Sequence, residues 1–97
     1  MNVGMSKITF RFPENQSLKG KRKIVNSISA RVQNKFNVSI AEVEHNDSWQ
    51  ISTLGITCVS NSYRHTEKIL AEVISYIEET RQDLELVSDE QEIITGV

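Results

Sequence analysis

From Asn37 to Ser60 the chain reads NVSIAEVEHNDSWQISTLGITCVS, two apolar-rich stretches parted by His45-Asn46-Asp47-Ser48. Short stretches rich in β-branched residues, broken by Asn and Asp, read as a β-hairpin. What surrounds the hairpin narrows the fold. A helix-patterned segment lies on each side of it, and a strand-patterned segment lies beyond each helix. An isolated hairpin is marginal in water, so those flanking elements have to cover it.

Val3–Phe12 is predicted to be the first strand: Ile8, Phe10 and Phe12 alternate with Lys7, Thr9 and Arg11, the period of a sheet with one buried face. Pro13 has no amide hydrogen and should end the ladder. Ser17 is the expected N-cap of a helix running to about Phe36. Leu18, Val25, Ile28, Val32 and Phe36 form its apolar stripe, widened by Ile24, and the basic residues take the opposite face. Asn37 should close the helix in the left-handed conformation.

Val38–Glu44 reads as the second strand. Val38, Ile40 and Val43 do not share one parity, which predicts a bulge near Ala41–Glu42. Trp49–Ser60 reads as the third strand, with Leu54, Ile56 and Cys58 on one face. Trp49, Ile51, Thr53, Thr57 and Val59 fall on the other, with Gly55 among them. Asn61 or Ser62 should cap a second helix to about Thr80, whose stripe is Thr66, Ile69, Leu70, Val73, Ile74 and Ile77. Asp83–Ile94 reads as the last strand, and its acids suit an exposed sheet edge.

The order strand, helix, strand, strand, helix, strand points to an α+β fold, the ferredoxin-like βαββαβ sandwich. It has a four-stranded antiparallel sheet of order 4-1-3-2 with both helices on one face. Residues 1–97 form one domain, which is what a chain of 97 residues allows. The name is topological only, since the single cysteine, Cys58, cannot hold an iron–sulfur cluster. One cysteine also forms no internal disulfide, which fits a reducing cytoplasm. No apolar run reaches the ~18 residues of a membrane span.

The topology brings Ser17–Lys23 and Glu44–Trp49 to one end of the sheet. Residues 16–36 carry Lys19, Lys21, Arg22, Lys23, Arg31 and Lys35 without an acid, although the net charge is −2. Cations at a helix N-terminus oppose the macrodipole, and a bound phosphate would remove that conflict. Lys19, Lys21, Arg22 and Lys23 are therefore anion- or RNA-binding candidates, with His45 and Trp49 beside them for shape or base stacking. The competing reading solvates these cations or pairs them with Glu44, Asp47, Glu78 or Glu79. The uncovered sheet face offers Met5, Trp49, Ile51 and Val59 as oligomer-interface candidates. No catalytic constellation, metal-ligand spacing or cofactor motif stands out. Cys58 is in phase with the core, and a His-Asp pair on a turn is a weak metal signal.

Ser17-Leu18-Lys19-Gly20-Lys21-Arg22, Phe36-Asn37-Val38-Ser39-Ile40-Ala41-Glu42-Val43 and His45-Asn46-Asp47-Ser48-Trp49-Gln50 resemble segments of the YlxP-like family of small bacterial proteins, in order and spacing. Leu54-Gly55 and Val59-Ser60-Asn61 continue the match. Ser6, where relatives usually carry an aliphatic residue, and Ile51-Ser52, where a basic one is common, depart from it. The resemblance implies a ferredoxin-like fold and unknown function, with a gene often near those of translation initiation factor 2 and ribosome-binding factor A. The resulting expectation is a cytoplasmic, non-enzymatic protein that binds RNA or a ribosomal particle through the basic end. The alternative is a homodimeric protein-interaction module using the open sheet face.

Overall fold

Alternation in the first strand does what its period requires. In the computed structural model, which describes residues 1–97, β1 spans Asn2–Arg11 and turns Ile8 and Phe10 into the core while Lys7 and Arg11 stay outside. The ladder runs one step further, because the Phe12 amide donates to the Gln50 carbonyl at 2.7 Å. Pro13 then ends it. Helix α1 spans Leu18–Lys35, and the Ser17 hydroxyl accepts from the Gly20 amide, as an N-cap should.

Strand β2 spans Ser39–Glu44 and β3 spans Ile51–Ser60. Helix α2 spans Tyr63–Thr80, capped by Ser62, and β4 spans Glu85–Ile94. The sheet order is β2-β3-β1-β4, with every neighbouring pair antiparallel. Read from the other edge, this is the expected 4-1-3-2. One core joins Ile8, Phe10 and Phe12 of the first strand region to Val25, Ile28 and Val32 of α1 and to Leu70, Val73 and Ile77 of α2. Leu54, Ile56 and Cys58 complete it from β3.

Several local expectations are corrected. Asn37 is not a left-handed cap: α1 ends at Phe36, which is extended at φ −124°. Phe36 ends the helix by turning its ring against Tyr76, edge to face at 5.6 Å, and by packing on the core. The bulge lies one step later than predicted. Register shifts between Glu42 and Glu44, so Val43 is the extra residue. The turn has one left-handed residue, His45, at φ 63°. Strand β3 starts at Ile51, leaving Trp49 in the turn.

Gly4 shows how closely α2 lies on the sheet. A Cβ there would come within 2.5 Å of Thr66 Cγ2 and 3.1 Å of Leu70 Cδ1. Both belong to α2 and both are fully buried. Strand propensity alone favours alanine over glycine. Packing reverses the sign: Gly4→Ala should destabilise by about 1–3 kcal/mol, the usual cost of overpacking. Urea unfolding of the single variant measures it, and an unchanged midpoint would place α2 further from β1.

Candidate functional site

At one end of the sheet β1 leaves, α1 begins and the β2–β3 turn closes. Lys21 ties these segments together. It stands in the first turns of α1 and is completely buried, at 0% exposure. Its ammonium donates to the carbonyls of His45 at 2.6 Å, Ile51 at 3.2 Å and Asn46 at 3.4 Å. Glu42 Oε2 lies 2.9 Å away and also accepts from the Ser52 hydroxyl at 2.6 Å. A buried ammonium is tolerated only when paired and hydrogen-bonded, and both conditions are met here. No buried side-chain nitrogen or oxygen in the chain lacks a partner.

Lys21 therefore leaves the set of anion-binding candidates. Its reason for being at a helix N-terminus is internal: backbone carbonyls and a carboxylate outweigh the unfavourable dipole. Its carboxylate partner is Glu42, none of the acids expected from the sequence.

Lys19, Arg22 and Lys23 are exposed, and none of them forms an ion pair. The first turn of α1 contains no acidic residue. His45 and Trp49 are exposed at the same end, and the His45 carbonyl is tied to α1 through Lys21. Trp49 is 50% exposed. Its backbone is held by Asn15, whose side-chain amide donates to the carbonyls of Trp49 and Ser17. Gln50 donates to the carbonyls of Pro13 and Asn15 at 3.2 Å each. The sequence reading missed Asn15, Gln50, Glu42 and Ser52. Gly20 belongs to the same mesh, since the Asn15 side-chain oxygen lies where a β-carbon would stand.

The interface candidates divide differently. Met5, Ile51 and Val59 lie on the open face, but Trp49 belongs to the basic end. Lys7 lies on that face between Glu44 at 3.1 Å and Glu90 at 4.0 Å. The hydrogen bond and charge of Glu44 hold the Lys7 ammonium above its ordinary range. Burial pushes the Cys58 thiol up, away from the thiolate a nucleophile requires. No group of three or more His, Cys, Asp or Glu side chains is gathered for a metal. No helix is long and apolar enough to cross a membrane.

Residues 3–91 match the model of a family described as "Protein of unknown function (DUF503)". The chain belongs to this family. The uncharacterized protein YlxP of Bacillus subtilis (strain 168) is a relative, 50% identical over 62 residues, which are 64% of this chain and 67% of YlxP. Among solved structures, the de novo designed protein Foldit4 matches with a TM-score of 0.55 at 12% identity, covering all of both chains. The designed protein LFR1, made with a ferredoxin fold, matches at 0.52 and 15% identity, over 100% of this chain and 88% of its own. These two likenesses speak to the DUF503 fold alone.

Replacing Lys21 with methionine tests the internal role. The substitution keeps length but takes the ammonium from three carbonyls and leaves Glu42 with the Ser52 hydroxyl alone. Breaking a buried pair in this way should cost about 3–5 kcal/mol. Chemical denaturation measures this; a loss under about 1 kcal/mol would match an exposed pair instead.

Proposed function

We propose that this DUF503 protein is a non-enzymatic binder of RNA, alone or within a ribosomal particle, acting through the end built around Lys21. One observation carries the reading: Lys19, Arg22 and Lys23 are exposed, make no ion pair, and stand in the first two turns of a helix whose first turn holds no acid. Stability does not favour cations there. Phosphate oxygens do, because amide hydrogens, the helix dipole and side-chain charge all act on them in the same sense.

The division of labour follows from chemistry. Lys19 and Lys23 are point charges, suited to a flexible phosphate backbone, and Arg22 offers a planar fork that grips phosphate with two bonds. Trp49 supplies a face on which an unpaired base stacks, and such stacking tolerates sequence. His45 is the neighbouring shape contact. Single-stranded or looped RNA fits this arrangement better than a regular duplex, because the bases must be free to stack.

The test is fluorescence anisotropy with short single-stranded RNA at several salt concentrations. The variant is Lys19→Glu/Arg22→Glu/Lys23→Glu, with Lys21 intact so that the end stays folded. Wild-type affinity should fall with salt, and the variant should bind weakly with a log–log slope smaller by about 2, near 0.7 per lost contact. Equal binding and equal slopes in the two proteins would refute the proposal.

A further inference from the structure

The open face of the sheet has a layout that the strand register fixes. Val3 pairs with Val59 on one side and with Ile94 on the other, so these three form one apolar rung. Val59 is 63% exposed and Ile94 48%. The next rung is Thr57, Met5 and Glu92. The rung after that is Gly55, Lys7 and Glu90, where the bulged Val43 leans over Gly55. A depression of about 470 Å³ runs across these middle rungs. Further up, the Thr9 and Thr53 hydroxyls bond each other at 2.8 Å.

We infer that this face is the contact between two copies of the chain, packed sheet against sheet about a two-fold axis parallel to the strands. The inference does not rest on RNA binding, since it concerns another surface. Three observations carry it. The first is the position of the apolar rung. Its Val3–Val59 pair straddles the β1–β3 boundary, the middle of the sheet order β2-β3-β1-β4, with Ile94 outside it on β4. A two-fold axis there lays β1 of one copy over β3 of the other, so Val3 meets its partner's Val59 and the apolar end meets itself. A two-fold interface needs this self-complementarity.

The second is charge. The β4 edge carries Glu85, Asp89, Glu90 and Glu92. Joining two copies edge to edge sets acid against acid, which works against pairing. Face-to-face packing instead sets β4 of one copy over β2 of the other, where Glu92, Glu90 and Ser88 come level with Ser39, Ala41 and Glu44, so no acid meets an acid. The third is area. Three ten-residue strands and the six-residue β2, at about 3.3 Å per residue and about 4.8 Å apart, give a flat footprint of about 570 Å². Side-chain relief raises the accessible area above that figure, towards the ~800 Å² per partner of an ordinary stable complex.

Sedimentation velocity from low micromolar to several hundred micromolar protein tests the inference. The wild type should pass from one to two chains per particle. Val59→Lys and Thr57→Arg alter side chains that are exposed in the single chain, so thermal melting of the dilute monomer should be unchanged. Each should weaken self-association at least about tenfold, the effect of losing ~1.4 kcal/mol. Lys19→Glu/Arg22→Glu/Lys23→Glu should associate like the wild type, which separates this surface from the basic end. A wild type that stays monomeric throughout would overturn the inference and leave the face to some other partner. Variants that associate as tightly as the wild type would also overturn it.

Discussion

The basic end depends on one buried ammonium. Lys21 reaches four oxygens with three hydrogens, and the longest contact, 3.4 Å to Asn46, shows where the supply runs out. Three of those oxygens are backbone carbonyls of the β2–β3 turn and the start of β3. A buried ammonium has to fill its donor capacity from such acceptors, because leaving it unpaired is costly. Lysine joins these segments in a way that no apolar residue can. It also explains how His45 keeps a left-handed backbone, at φ 63°, that histidine does not favour. The surrounding bonds over-determine that conformation. The end of the molecule is thus rigid because a charge was buried, and its exposed residues inherit fixed positions.

This arrangement was partly visible in the sequence. The apolar stripe of α1 steps from Leu18 to Val25, a gap of seven, then by three and four to Ile28 and Val32. Lys21 stands three after Leu18 and four before Val25, in the slot the stripe leaves open. Read as one of several cations, it joined the solvent face; read by helical position, it belongs to the core. Glu42 carried a matching sign, since it shares its parity with Ile40 in a strand whose inner face is apolar. An acid and a base that both occupy inward positions on neighbouring elements announce a buried pair. The distances that unite them are long-range, and no local pattern contains them.

The fold was more legible than the site because it rests on periodicity, which is local. Alternation placed Ile8 and Phe10, capping chemistry placed Ser17 and Ser62, and element order placed the strands. The failures sit where tertiary contacts override local preference. Asn37 suits a left-handed cap, yet the helix ends when Phe36 finds Tyr76 and the core. Trp49 has strand propensity, yet its carbonyl is taken by Asn15 and strand β3 starts two residues later. Gly4 is unremarkable in the sequence and is needed because Thr66 and Leu70 of α2 occupy the space of its side chain.

Charge also has to be read locally. The net charge of −2 conceals two poles, with the basic residues on α1 and the acids gathered in the second half of the chain and along β4. Helix α1 packs near β2, and β4 is the opposite edge of the sheet. Three strand spacings, about 14 Å, part β4 from β2, whereas exposed charges are screened over about 8 Å at physiological salt. The acidic edge therefore does little to weaken attraction at the basic end, and an overall negative charge is no argument against a phosphate partner. What counts there is which cations remain free. Burying Lys21 against Glu42 removes one from the surface and leaves Lys19, Arg22 and Lys23 to face whatever arrives.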